Sequence, residues 1–124
     1  MSSRVLVMPP HALRPAPMPT PGIVREVAFD LERAMMVRAR VAPRVVSGWH
    51  HHGDRDVFGF LVKGRARFEF GPGGKDTAEV EEGGFFHVPR GLVHRDVNAT
   101  DEPQEFALCF AGTGPLVVNV DGPS

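Results

Sequence analysis

The chemistry-bearing residues fall into two short stretches. Gly48-Trp49-His50-His51-His52 carries three consecutive histidines, and Pro89-Arg90-Gly91-Leu92-Val93-His94 follows downstream, with Asn98 four residues further on. Neutral imidazoles are good ligands for divalent transition metals. On a strand, His50 and His52 project from one face, because side chains alternate with a period of two. A third imidazole, His94, brought in from a neighbouring strand would complete a three-nitrogen site. The expected cofactor is therefore one divalent transition metal. Fe, Zn, Mn and Ni stay open, since occupancy of His-rich sites follows availability as well as affinity.

The elements that must position these residues read as strands. Met35, Val37, Ala39 and Val41 alternate with Met36, Arg38 and Arg40, which predicts a half-buried strand. A short helical turn begun by Asp30 is the alternative for residues 28–36. Residues 57–62 and 65–70, joined at Lys63-Gly64, read as a hairpin. Gly71-Pro72-Gly73-Gly74 is a turn, and further short strands are expected at 77–81, 84–88, 93–97, 104–111 and 115–120. Many short strands without a long helix predict an all-β sandwich or barrel. Residues 1–22 stand apart. Pro9, Pro10, Pro15, Pro17, Pro19 and Pro21 keep this segment out of helices and central strands, so it is expected to be an extended arm, wrapped on a partner subunit or unattached. Residues 23–124 form the single domain.

With 124 residues and a formal net charge of −1, the chain has neither the basic footprint of a nucleic-acid binder nor a membrane-surface patch. No apolar run approaches the ~18 residues of a membrane span. The first apolar stretch, Val5 to Met8, runs straight into prolines rather than a cleavage site, so a cytoplasmic location is expected. The lone cysteine, Cys109, excludes an internal disulfide and a thiolate metal cage, and its apolar neighbours suggest a buried, inert thiol.

Taken together, the two stretches resemble the motifs of the cupin superfamily. The second cupin motif is matched in full by Gly83, Pro89, Gly91, His94 and Asn98. The first is matched in part, by His50, His52 and Gly64. Arg44 stands at its opening glycine and Val57 at its glutamate. The chain is also similar to small single-domain bacterial cupins with a His-His-His-Gly-Asp run and a Pro-Leu-Val-Val-Asn-Val-Asp-Gly ending. The resemblance implies a jelly-roll barrel with His50, His52 and His94 around a divalent metal at one open end.

The missing glutamate matters most for chemistry. Asp56, one residue before its position, is the acidic candidate for a fourth ligand or general base. A one-residue shift turns a strand side chain to the opposite face, so Asp56 reaches the metal only through a bulge. Otherwise Val57 points inward and leaves an open three-His site, with Gly59 leaving room for a small ligand. Such a site resembles those of non-haem iron dioxygenases in its logic. The family's thiol dioxygenases and sugar epimerases use a tyrosine, and this chain has none. Oxalate-type chemistry uses the absent glutamate. The expected function is thus a metal-binding, dioxygenase-like cupin acting on a small organic molecule. A non-catalytic sensing cupin and a metal-assisted isomerase or cyclase are the alternatives. A homodimer is the expected assembly.

Several neighbours are expected away from the metal: His51 and Trp49 between and beside the ligands, His87 on the outer face, and His11 in the arm. Asn98 reads as a structural hydrogen-bonding residue. Arg90 stands near the pocket mouth, either solvated or facing an anionic ligand.

Overall fold

The structure is a computed structural model and describes residues 3–123. Its strands are β1 (Arg14–Pro15), β2 (Val24–Asp30), β3 (Ala34–Val41), β4 (His50–His51), β5 (Asp56–Lys63), β6 (Ala66–Phe70), β7 (Asp76–Val80), β8 (Phe85–Val88), β9 (His94–Val97), β10 (Gln104–Ala111) and β11 (Val118–Asn119). They form two antiparallel sheets, in the orders β1-β2-β3-β10-β5-β8 and β11-β4-β9-β6-β7. Among the described residues no helix is long and apolar enough to cross a membrane.

Alternation decides which residues meet inside. In the larger sheet, Met35, Phe110, Val57 and Val88 lie in one cross-strand row, and Val37, Leu108, Gly59 and Phe86 in the next. Of these eight, all but Gly59 and Phe86 belong to the buried apolar core, and Phe86 packs against it. Phe68 of the facing sheet closes the core from the other side, its ring 4.8 Å from Phe86 and 6.3 Å from Phe106. At Gly59 the core is filled from across the strand pair: a Cβ there would stand 2.1 Å from the Phe86 ring. The space expected beside Gly59 is therefore occupied by Phe86.

Two local expectations change, and one open alternative is decided in favour of the strand reading. Residues 57–62 and 65–70 are not a hairpin: β5 pairs with β10 and β8, whereas β6 pairs with β7 and β9. The chain instead crosses between sheets at Gly64. There φ is +95° and a Cβ would meet the Pro103 carbonyl oxygen at 2.7 Å, so glycine suits both the backbone and the space. Residues 28–36 form no helix; β2 and β3 are antiparallel neighbours joined at residues 31–33. The proline-rich arm docks on its own barrel: β1 pairs with β2, and Pro19 accepts a hydrogen bond from Asn119 Nδ2 at 2.9 Å. Prolines fit this edge position because an edge strand has backbone positions that need no donor.

The outward rows of the larger sheet are mostly apolar as well. Met36, Cys109, Phe58 and His87 form one row, and Arg38, Ala107, Phe60 and Phe85 the next. Phe58 is 52% exposed and Phe85 80%. Cys109 lies in this outer row, half-buried rather than enclosed in the core as its apolar neighbours suggested, because its position on β10 alternates with buried Leu108 and Phe110.

Candidate metal centre

His50 begins β4 and pairs directly with His94, which begins β9. His52 follows two residues after His50, on the same face. All three are buried, between 1% and 4% exposed. One nitrogen from each lies within 4.8 Å of the others, and the ring centroids are 4.3 to 5.2 Å apart.

The outer nitrogens are tied to the backbone. His50 Nδ1 is 2.9 Å from the Gly48 carbonyl oxygen, His52 Nδ1 2.9 Å from that of Leu116, and His94 Nδ1 3.0 Å from that of Leu92. A carbonyl can only accept, so each Nδ1 carries the proton and each Nε2 keeps its lone pair for the centre of the cluster. Such backbone partners fix both tautomer and ring direction in metal sites.

Electrostatics favour the same state. Burial holds His50, His52 and His94 well below the ordinary imidazole range, and the neighbouring rings and the Arg25 guanidinium add to this for His50; His52 is lowered to about 3. At neutral pH all three are uncharged and competent as ligands. The donor set, its tautomers and its protonation thus fit a divalent metal.

Asp56 is not brought to this cluster. Its Oδ1 accepts from His87 Nε2 at 2.8 Å, and its Oδ2 lies 3.3 Å from Arg90 Nε, all on the outer face. No bulge intervenes where β5 pairs with β8, so the alternation runs unbroken. Val57, 2% exposed, takes the inward place and packs in the core. His87 is stacked on Phe58, with ring centroids 5.0 Å apart. His51 turns away, its Nδ1 accepting from the Gly53 amide at 3.0 Å. Trp49 holds the Arg95 guanidinium 4.4 Å from its ring centroid, and His11 is exposed in the arm. Asn98 is structural: its Nδ2 donates to the carbonyls of Val41, Ala42 and Glu102, and its Oδ1 accepts from Thr100.

Two buried charged residues near the cluster escaped the sequence reading. Asp96 lies two residues after His94 on β9 and shares its inward face. Arg25 on β2 is 7% exposed, and its Nη1 donates to Thr20 Oγ1 at 2.8 Å. Strand parity from His94 alone would have found Asp96. Nothing local marks Arg25, whose place follows from the pairing of β2.

Beside His94 opens a cavity of about 290 Å³, lined by Phe68, Phe70, Val80, Phe86 and Leu92 among others. Its wall is largely apolar; His94 is the one imidazole of the cluster that lines it, and His87, expected on the outer face, reaches its rim as well.

Sequence comparison matches residues 37–122 to the cupin domain family. The chain belongs to the cupins. An uncharacterised conserved protein with a double-stranded β-helix domain from Klebsiella pneumoniae superposes with TM-score 0.72, at 18% identity, over 97% of this chain and 99% of that one. Oxalate decarboxylase from Bacillus subtilis gives TM-score 0.70 at 21% identity, covering 85% of this cupin and 29% of the decarboxylase. Oxalate oxidase in complex with glycolate gives 0.68 at 23%, over 80% and 55%. These similarities establish the jelly-roll fold. No functionally curated protein matches the sequence.

Proposed function

We propose that this cupin is a metal-dependent enzyme of the dioxygenase type, acting on a small organic molecule with an apolar body and one anionic, chelating end. The observation that carries the reading is a largely apolar cavity lined by His94, which is one of three clustered imidazoles. Three neutral imidazoles leave an ion's charge uncompensated; the nearby Asp96 carboxylate offsets one unit of it, and the buried Arg25 adds a positive charge back, so the centre keeps a net positive charge. An enolate, phenolate, thiolate or carboxylate end would offset it. A bound redox-active ion would supply open coordination positions and oxygen chemistry. The chain supplies orientation through the fixed imidazoles and excludes water through Phe68, Phe86 and Leu92.

The same cavity argues against oxalate. A small dianion needs a partner at both ends; besides His94 the cavity wall offers only His87, whose Nε2 is engaged with Asp56, and a far carboxylate left unpaired costs several kcal/mol where it is buried. The test is anaerobic loading with iron(II), followed by dioxygen consumption with a panel of β-diketones, phenols and thiols, with oxalate as comparison. Turnover confined to substrates with apolar bodies supports the proposal. Bound metal with no turnover across the panel overturns it. Saturable ligand binding without turnover would instead support a sensing role.

The outer face of the larger sheet supports a homodimer. Met36, Phe58 and Phe85 are exposed on this face, with Phe60 half-buried between them, and contiguous exposed apolar side chains of this kind mark interaction surfaces. Its rim is electrically balanced within the chain. Arg38 pairs with Glu26, Arg40 with Glu105, and Asp56 with His87 and Arg90. Two copies can therefore meet without like-charge repulsion.

A further inference from the structure

We propose that Asp96 is the carboxylate of this site, directing its Oδ1 at the ion that His50, His52 and His94 hold. The inference rests on reading those histidines as a metal site. In this chain the carboxylate would come from the strand of the second motif, after Val57 removed it from the first.

Four observations carry it. Asp96 Oδ1 lies 3.8 Å from His50 Nε2 and 3.8 Å from His94 Nε2, so one oxygen faces both lone pairs. That oxygen is buried and has no hydrogen-bond partner. A buried acceptor left unpaired costs about 1–3 kcal/mol, and such groups in folded proteins mark a function or an absent partner. Arg25 acts on Asp96 through its charge, but it donates to Thr20 and makes no direct ion pair with the carboxylate. A purely structural counter-ion would use that guanidinium. Finally, the Asp96 backbone is clamped on both sides. Its amide donates to Ser47 Oγ at 2.9 Å, and its carbonyl accepts from the Ser47 amide at 2.8 Å. Ser47 immediately precedes the His50 segment, so the carboxylate and the first imidazole are positioned by one local unit.

The distances are compatible with a shared ion. Donor atoms each about 2.1 Å from one ion stand about 3.0–3.4 Å apart, depending on geometry. The observed 3.8 Å separations require a contraction of under about 1 Å, within reach of small side-chain adjustments. Asp56 offers no such approach, because its two oxygens are engaged on the outer face.

The experiment titrates metal-free protein with cobalt(II), read by absorption spectroscopy, with affinity measured against a competing chelator. Wild type, Asp96→Asn, Asp96→Glu, Asp56→Asn and His94→Ala are compared, together with the thermal midpoint of each apoprotein. Asp96→Asn should weaken cobalt binding by about tenfold or more and shift the visible bands, while its apoprotein melts no lower than wild type. Asp96→Glu should bind more tightly than Asp96→Asn and show bands distinct from wild type. Asp56→Asn should match wild type in affinity and spectrum. Equal affinity and an identical spectrum for wild type and Asp96→Asn would overturn the inference, as would a lowered midpoint with unchanged binding, which marks a structural role. If Asp96→Asn does not fold, Asp96→Glu decides: bands identical to wild type overturn the inference and altered bands support it. Failure of the underlying reading looks different, since wild type itself would then bind no cobalt and His94→Ala would change nothing.

Discussion

Replacing Gly59 with alanine tests the packing that shapes the cavity. The added Cβ would stand 2.1, 2.5 and 2.6 Å from three carbons of the Phe86 ring. Ordinary carbon contacts lie at about 3.5–4.0 Å, so the ring must retreat by more than about 1 Å. It cannot retreat inward, because Phe68 lies 4.8 Å and Phe106 5.6 Å away between centroids. The remaining direction is into the cavity that Phe86 already lines. Overpacking of this kind costs about 1–3 kcal/mol, offset by about 0.5–1 kcal/mol because alanine loses less chain entropy than glycine in a strand. The expected net loss is about 1–2 kcal/mol, measured by urea denaturation. Metal affinity should stay within about twofold, since the ligands sit on β4, the turn after it and β9, whereas substrate or ligand affinity should fall. Adding Phe86→Leu in the Gly59→Ala background should recover part of the stability by relieving the clash, a non-additive result expected of contacting residues. The reasoning fails if Gly59→Ala alone is as stable as wild type, or if its effect simply adds to that of Phe86→Leu.

Acid should destabilise the metal-free protein. His50, His52 and His94 are held below the ordinary imidazole value, His52 at about 3, so between that value and pH ~6.5 the unfolded chain binds more protons. Their contribution is complete above pH ~6.5 and is lost as pH falls, by about 1.4 kcal/mol per unit for each histidine. Burial raises Asp96, which acts in the opposite direction as one group against three; a flat urea midpoint from pH 6.5 to 4.5 would refute this. Arg44 sits at φ +64°, where the cupin motif has glycine. Its side chain compensates by holding Asp101 and the Ala99 carbonyl, both at 2.8 Å. Arg44→Ala should therefore lose about 1 kcal/mol, and Arg44→Gly less, because glycine also removes the backbone strain; the opposite order in thermal melts would count against the account. Phe58→Glu combined with Phe85→Glu should convert a dimer to a monomer in light scattering with metal binding intact. A wild-type monomer, or a dimer that survives both changes, would rule out the outer-face interface.

The histidine spacing, the full second motif and the strand alternation were legible because each depends on short separations along the chain. A period of two places His50 with His52, and a Pro-x-Gly turn places His94 at a strand start. The same parity argument weighed Asp56 against Val57, and the unbroken register of β5 against β8 turned Val57 inward. The errors arose where partners are distant. Lys63-Gly64 has hairpin chemistry, yet the two strands enter different sheets, because each finds its partners elsewhere in the chain. Gly59 signalled space, but the occupant of that space comes from residue 86. The arm's proline content ruled out central strands and left open where it docks.

The sequence by itself determined an all-β fold, the three imidazoles and a valine at the first-motif glutamate position, all properties of local spacing and residue type, while the barrel was what the resemblance to the cupins implied. Only the tertiary structure decided that Asp96 faces two of those imidazoles with an unpartnered oxygen, that Arg25 is buried nearby, and that His94 lines a largely apolar cavity. These depend on cross-strand register and on the packing of two sheets. Burial then sets the energies, since an oxygen or a guanidinium that is inconsequential in water becomes a strong determinant once water is excluded.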